Sequence, residues 1–347
     1  MGKLRVGLIG SGQIAWNSHI PNYKLLKEEV EIVALCDVNL ELAKNIASKY
    51  GIQKAYSSKE EMLKEEQIDA VSICVPNKFH FESVMFALEH NCHVLCEKPP
   101  AMSYEEAKKM EDLAIKKGKI LTYNFHFRHG KEFQYLKKQI ENNEFGTIYS
   151  ANVEYLRRRG IPGWGTFIDK EMQGGGPLID VGVHMIDLTL YMMEYPKVSY
   201  VCATTHQEIG TREGVGLMGS WDHTKFTVED SAFGFIKLEN GASIRIATSF
   251  ALNCKEKEKN TVDIYGAKAG ASLFPLEIYG EEDKMLFDKT VPFNEDDDKH
   301  RNSIFNFVHA CLGKEDIIVK AREGTILQNI IEKLYISAET NKPVMFE

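Results

Sequence analysis

The sequence feature that most constrains the fold is a glycine pattern near the start of the chain. An apolar run, Leu4–Ile9, predicts a β-strand, and Gly10-Ser11-Gly12-Gln13-Ile14-Ala15 follows it directly, before a helical stretch. Strand, glycine loop and helix in this order form the G-x-G-x-x-G/A fingerprint of a dinucleotide-binding unit. The pattern predicts a parallel sheet with helices on both faces and a site for a dinucleotide.

Within this loop, each glycine has its own expected role. Gly10 allows the tight turn, and Gly12 lets backbone N–H groups approach a pyrophosphate at the helix N-terminus. Gln13 and Ile14 lie on the same turn and are also predicted to contact the cofactor. The alternative is a glycine turn that binds nothing.

Asp37 follows the second predicted strand, Glu31–Cys36, at the distance expected for the acidic residue that binds the adenosine ribose. A carboxylate there repels a 2′-phosphate, and the neighbouring Val38 and Asn39 provide no compensating arginine. We therefore predict NAD as the cofactor, with NADP as the alternative. Asp37 could also cap the following helix, and the two roles are compatible.

The first 123 residues alternate short apolar runs with amphipathic stretches, which predicts a doubly wound α/β domain over residues 1–123. The further predicted strands are Ala70–Val75, His93–Cys96 and Ile120–Tyr123, and the predicted helices are His19–Lys27, Leu40–Tyr50, Phe79–His90 and Tyr104–Lys117. Pro76 and Asn77 follow a strand, at the sheet edge where α/β proteins bind ligands, and are predicted to contact the cofactor.

Residues 124–347 have a different pattern, which predicts an α+β domain built on a large open, mostly antiparallel sheet. Asn240-Gly241, between the runs Ser231–Leu238 and Ala242–Phe250, predicts a hairpin with a type I′ turn. The other predicted elements are a helix at Glu132–Asn143, a strand at Thr147–Arg157 and helices at Ser303–Leu312 and Glu323–Thr340. The last two are expected to pack across the sheet, and the acidic run Glu295–Asp298 to be solvated.

Composition excludes several classes of function. The chain has 347 residues, enough for two domains, and a net charge of −8, which argues against nucleic acid or a membrane surface as partner. Seven scattered cysteines and a start without a secretory signal predict a reduced, cytoplasmic location. Cys92, His93 and Cys96 have no second cluster at zinc spacing, so we expect no metal site.

Two further motifs are more specific. Glu97-Lys98-Pro99-Pro100 follows a predicted strand, and the run from Gly174-Gly175-Gly176 through Asp180 to His184 lies in the second domain. With these motifs the whole chain resembles the Gfo/Idh/MocA family, which includes glucose–fructose oxidoreductase and inositol dehydrogenase. The resemblance implies a dinucleotide domain followed by an open-sheet domain, dependence on a pyridine nucleotide, and an active-site lysine, aspartate and histidine.

Carried onto this sequence, the three family residues are Lys98, Asp180 and His184. Asp180 and His184 are four residues apart, so a helix would project both side chains from one face. Imidazole titrates near neutrality, which suits His184 as the general base for an alcohol proton. Asp180 is expected to bind a substrate hydroxyl, Lys98 to stabilise a developing alkoxide, and Glu97 to position Lys98 or its loop. Glu97 and Lys98 are also predicted to contact the cofactor.

Four other residues are predicted to contact substrate. The resemblance suggests Asn124 and Arg128, although His129 departs from the usual family continuation. The loop after the strand ending at Arg157 offers Arg158 for hydroxyl or carboxylate groups and Trp164 for an apolar sugar face. A solvated rim or interface loop is the alternative for this segment.

The resulting functional hypothesis is an NAD(P)-dependent dehydrogenase of a sugar, sugar derivative or cyclitol. It would act as a homodimer or homotetramer. The resemblance leaves two alternatives: an NAD-assisted glycosidase that uses the same residues in its first steps, and a sensor without catalysis. A sensor is expected to lose catalytic side chains, whereas Lys98, Asp180 and His184 are all present.

Overall fold

A computed structural model describes residues 2–292 and 297–346. The chain forms two compact units, one from Met1–His129 and Asp298–Gln328, the other from Gly130–Asp297 and Asn329–Glu347. Of the acidic run predicted to be solvated, residues 295 and 296 lie outside the described part. Within the described ranges, no helix is both long and apolar enough to cross a membrane.

The first unit contains a six-stranded sheet in which all neighbouring strands are parallel. The strands are β1 (Leu4–Ile9), β2 (Val30–Cys36), β3 (Lys54–Tyr56), β4 (Ala70–Ile73), β5 (His93–Cys96) and β6 (Leu121–Tyr123). Their order, β3-β2-β1-β4-β5-β6, is that of doubly wound dinucleotide-binding folds. The predicted fold class of this domain is confirmed.

Crossover helices connect the strands of this unit. They are α1 (Ile20–Leu25), α2 (Leu40–Tyr50), α3 (Lys59–Glu65), α4 (His80–Glu89) and α5 (Tyr104–Lys117). Ser103 caps α5 by accepting a hydrogen bond from the Glu106 N–H, and Gly118 ends it in the left-handed conformation. Such caps satisfy backbone groups that the helix itself leaves unpaired.

The second unit is built on a nine-stranded sheet. Its chain-order elements are α6 (Lys131–Glu141), β7 (Ile148–Arg157), α7 (Lys170–Gln173), α8 (Val183–Met192), β8 (Val198–His206), β9 (Ser231–Leu238), β10 (Ser243–Ser249), β11 (Glu258–Gly266), β12 (Ala269–Leu273), β13 (Glu277–Glu282), β14 (Met285–Thr290) and β15 (Val344–Met345). The strand order is β14-β13-β12-β11-β7-β10-β9-β8-β15, and only β7 and β10 pair in parallel. The predicted open, mostly antiparallel sheet is confirmed.

The hairpin between β9 and β10 forms where it was predicted, but its turn differs from the prediction. The Gly241 N–H donates to the Leu238 carbonyl, which makes Glu239 and Asn240 the central residues of the turn. A type I′ turn needs positive φ at both, whereas in this hairpin only Gly241 has a positive φ, of 90°. The Leu238 N–H donates to the Ala242 carbonyl, so this pair closes a loop of three residues, and the type I′ prediction is wrong.

The two long C-terminal helices, α9 (Lys299–Cys311) and α10 (Ala321–Thr340), differ in what they cover. Helix α9 was expected on the large sheet but belongs to the first unit, where Ile304 and Phe307 join the core of the parallel sheet. The end of α10 does pack on the large sheet, where the Ser337 hydroxyl accepts a hydrogen bond from the Ala203 N–H of β8. The sequence predicted that α9 has an apolar face, but it did not predict the sheet against which that face packs.

Candidate active site

The glycine loop of the first unit has the geometry that its sequence predicts. Gly10 has φ = 95°, and a Cβ there would lie 2.5 Å from the Cys74 carbonyl oxygen, so only glycine fits. Around Gly12 a Cβ would meet open space, and its carbonyl accepts the first N–H groups of the next helical turn, those of Ala15 and Trp16. Gln13 is exposed beside it. The open helix start fits a pyrophosphate.

Asp37 braces this loop through its carboxylate. Its Oδ2 accepts a hydrogen bond from the Ser11 N–H at 2.8 Å, and its Oδ1 accepts one from the Asn39 N–H at 2.9 Å. The cap of α2 is Asn39, whose side chain accepts from the Leu42 N–H, so Asp37 does not cap this helix. A half-buried carboxylate at the end of β2, beside the glycine loop, fits a ribose.

The loops after β4 and β5 are joined by the buried imidazole of His80. Its two ring nitrogens lie 2.7 Å from the Pro99 carbonyl oxygen and 3.0 Å from that of Val75. Burial lowers the pKa of this histidine. Pro76 precedes the short helical turn that begins at Asn77. His80 therefore fixes the segment of Pro76 and Asn77 to the segment that carries Lys98.

Glu97, directly before Lys98, is the centre of a buried polar network. Its Oε1 accepts hydrogen bonds from His19 Nε2 at 2.8 Å and from the Asn124 amide at 2.6 Å. Burial alone would raise the pKa of Glu97, but the hydrogen bond and charge of His19, with the Asn124 bond, lower it to about 2. Ser72 extends the network, since its hydroxyl lies 3.1 Å from His19 Nδ1. The network holds a negative charge next to Lys98.

Two further histidines of the first unit stack beside this network. The rings of His126 and His300 lie 3.9 Å apart at 19°. Burial, with the charges of His300 and Lys98, holds the pKa of His126 well below its ordinary value. Sequence reasoning missed His19, His126 and His300. The only available signal was that His126 lies within the motif that also contains Asn124 and Arg128.

Asn124 and Arg128, both predicted to contact substrate, are fully buried. The Asn124 amide points to Glu97, as described above. The Arg128 guanidinium forms an ion pair with Glu323 at 2.5 Å, and no part of its side chain is exposed. This burial leaves Arg128 no surface for a substrate, because the ion pair that neutralises its charge also encloses it.

In the second unit, Asp180 and His184 lie on one continuous helical segment. Asp180 belongs to a π-helical turn, Leu178–Gly182, which leads directly into α8, where His184 is the second residue. The four-residue spacing on this segment places both residues on one face. Asp180 is half-buried and His184 is 9% exposed.

The loop after β7 carries the other two predicted substrate residues. Arg158 lies on the surface, where its guanidinium is 3.4 Å from the Lys255 carbonyl oxygen. Trp164 is 43% exposed and meets Phe167 edge to face. Beneath them, Ile161 packs in a small core with Val181 of the π-helical turn. This loop therefore rests on the segment that carries Asp180.

Comparison with known proteins identifies the family. Residues 4–125 match the family model described as "Oxidoreductase family, NAD-binding Rossmann fold", and residues 133–272 match the GFO/IDH/MocA C-terminal domain. The chain belongs to the Gfo/Idh/MocA oxidoreductase family. Its Rossmann domain is accordingly an NAD-binding domain, as the glycine loop and Asp37 predicted.

Several relatives of this chain are named as sugar dehydrogenases. The chain is 43% identical to a D-glucoside 3-dehydrogenase of Escherichia coli over 98% of its own length and 97% of the relative's. It is 30% identical to a glucose-6-phosphate 3-dehydrogenase of Bacillus subtilis over 71% and 67% of the two chains. A solved structure of levoglucosan dehydrogenase with NADH and levoglucosan matches with a TM-score of 0.86 at 22% identity, covering 99% of both chains. The last match supports the fold.

Proposed function

We propose that this protein is an NAD-dependent dehydrogenase that oxidises the hydroxyl group at carbon 3 of D-glucosides. The family member is an NAD-dependent oxidoreductase that acts on a CH–OH group of a sugar, sugar derivative or cyclitol. The observation that carries the narrower assignment is the 43% identity, over almost the whole chain, to a D-glucoside 3-dehydrogenase.

The proposed cofactor contacts follow from the first unit. Gly10, Gly12, Gln13 and Ile14 would hold the pyrophosphate, and Asp37 would accept hydrogen bonds from the ribose hydroxyls. Pro76, Asn77 and Glu97 belong to the same edge of the sheet. When bound, NAD supplies the hydride acceptor. We assign NAD over NADP because Asp37 is a carboxylate without a neighbouring arginine.

The proposed catalytic residues are Lys98, Asp180 and His184. His184 would accept the proton of the substrate hydroxyl as its carbon is oxidised, and Asp180 would orient that hydroxyl. Lys98 would stabilise the negative charge that develops on the oxygen. For Arg158 and Trp164, which lie at the surface of their loop, we propose contacts with the sugar. For Asn124 and Arg128 we propose structural roles, because both are enclosed.

We further propose a cytoplasmic homodimer or homotetramer. Exposed aromatic residues on three strands of the large sheet support an association of subunits: Phe233 of β9, Tyr265 of β11 and Tyr279 of β13 are each 38% exposed. The described part contains all seven cysteines, and none forms a disulfide, which suits a reducing compartment.

The test uses the purified protein with NAD and a panel of methyl and aryl D-glucosides, free sugars and inositols. We expect NADH absorbance to rise with glucosides and a 3-keto product to form. Oxidation of inositol in preference to glucosides would overturn the substrate assignment. Cleavage of a glucoside without net NADH would favour the NAD-assisted glycosidase, and nucleotide binding without turnover would favour the sensor.

A further inference from the structure

The triple-glycine run that precedes Asp180 is shaped by contacts within the second unit. A Cβ on Gly175 would collide with the phenol oxygen of Tyr335, and a Cβ on Gly176 would collide with the carbonyl oxygen of Glu229. Tyr335 lies on α10 and Glu229 directly precedes Asp230 and β9. The glycines therefore let this backbone approach the Tyr335 side chain and the Glu229 backbone, which come from distant parts of the chain.

The Glu229 carboxylate then makes three hydrogen bonds to this region. Its Oε2 accepts from the Gly176 N–H at 2.8 Å. Its Oε1 accepts from the Leu178 N–H at 3.2 Å and from the Tyr335 hydroxyl at 2.8 Å. Leu178 is the first residue of the π-helical turn that contains Asp180.

The Glu229 carboxylate provides the hydrogen-bond acceptors that the start of a helix needs. The first N–H groups of a helix have no partner within it, and an anion there is favoured by the helix dipole. Glu229 supplies both the acceptors and the charge, although it is remote in sequence. Burial raises the pKa of Glu229, and the same enclosure raises that of Tyr335. Burial of this carboxylate therefore has a desolvation cost, which a capping side chain exposed to solvent would not have.

We infer that Glu229 and Tyr335 are positioning residues for the reaction: they fix the start of the helical segment that carries Asp180 and His184. The inference rests on the proposed roles of these two residues. Neither positioning residue is assigned a contact with substrate. A shift of the helix start would misplace both functional side chains together, because the π-helical turn and α8 are continuous.

Glu229→Gln tests the inference with little change of shape. The amide NH2 of the glutamine would face one of the N–H or O–H groups from which the carboxylate now accepts a hydrogen bond. Two donors would then oppose each other, and one hydrogen bond would be lost. We expect kcat for the glucoside to fall at least about tenfold, with the Kd for NADH unchanged, because the nucleotide loop belongs to the first unit. Glu239→Gln, an exposed residue of the β9–β10 turn, is the matched control and should leave kcat unchanged.

Hydrogen exchange provides a readout that does not depend on activity. In Glu229→Gln, the amides of Gly176 and Leu178 should exchange faster than in the wild type, while the parallel sheet keeps its protection. Tyr335→Phe keeps the ring and removes one donor, so it should show a smaller increase of exchange at the same amides. It provides the test if Glu229→Gln fails to fold. Tyr149→Phe, at an exposed tyrosine, is its control.

Unchanged exchange and unchanged kcat in the folded variants would overturn the inference. Equal losses of kcat and of protection throughout the second unit would also overturn it, since they would indicate a general loss of stability. A wild type inactive on glucosides whose exchange still responds to Glu229→Gln would defeat the proposed function but support the anchoring of this helix.

Discussion

Glu97 in the first unit and Glu229 in the second are buried carboxylates with opposite electrostatics. Glu97 receives hydrogen bonds from the side chains of His19 and Asn124, and its pKa falls to about 2. Glu229 receives them from two backbone N–H groups and the Tyr335 hydroxyl, and its pKa rises. Neutral dipoles leave part of the desolvation cost of Glu229 uncompensated, whereas an ionisable partner can offset that of Glu97.

The difference suggests that the two units stabilise their functional segments differently. In the first, the side chains of His19 and Asn124, from two separate segments, meet at one carboxylate beside Lys98. In the second, one carboxylate holds the backbone at the start of a helix that carries Asp180 and His184. Substitutions should therefore alter charge in the first unit and geometry in the second.

The largest expected effect comes from the residues that these carboxylates support. His184→Ala should lower kcat on the glucoside by about a thousandfold, since it removes the proposed general base. Steady-state kinetics with NAD, together with the Kd for NADH, provides the measurement. A variant with full activity would exclude His184 as the base and would remove the functional meaning of the Glu229 contacts.

Glu97→Gln should cost about 3 kcal/mol of unfolding free energy at pH 7, because it replaces a carboxylate that the folded state strongly favours in its charged form. Urea denaturation monitored by circular dichroism measures this. Glu41→Gln, whose side chain is 76% exposed, is the control and should change stability little. Equal stability of the two variants would show that the contacts of Glu97 with His19 and Asn124 do not contribute to the unfolding free energy.

The pH dependence sharpens the contrast between the two carboxylates. Since the folded pKa of Glu97 lies below its ordinary value of 4.5, its contribution is complete above that pH and is lost as pH falls towards about 2. The unfolding free energy of the wild type should decline more steeply across this interval than that of Glu97→Gln. Glu229, with a raised pKa, should not add to this acid loss. Parallel curves for wild type and Glu97→Gln would contradict the assignment.

Asn124→Ala should have the smallest effect, about 1 kcal/mol of unfolding free energy, because His19 remains as the main partner of Glu97. It should also raise the folded pKa of Glu97, so that the acid loss of stability becomes smaller and ends at a higher pH. A change in KM for the glucoside without any loss of stability would instead favour the substrate contact predicted from sequence.

The sequence predicted those helices and strands whose apolar pattern lies within the element itself. The observed β1, β5, α2 and α5 coincide with the predicted ranges, because each element has a clear apolar pattern or recognisable ends. β3 and α3 were missed, since β3 has only three residues and carries little pattern. The type I′ turn was wrong because a dipeptide does not specify loop length.

The candidate site was readable only in part. The glycine loop, Asp37, Lys98, Asp180 and His184 belong to contiguous motifs, whose spacing is visible in one chain. His19, His300, Glu229 and Tyr335 join their clusters through contacts between segments far apart in sequence, which no local pattern encodes. Arg128 was assigned to substrate because its motif does not reveal the ion pair with Glu323.

The hydrogen bond from the Ser11 N–H to Asp37 bears on attempts to engineer cofactor preference. Replacing Asp37 by a neutral residue to admit a phosphorylated ribose would also remove the acceptor that holds the backbone of the glycine loop. A successful redesign would have to return an acceptor to Ser11, for example with a serine or asparagine at position 37, before adding a positive charge nearby.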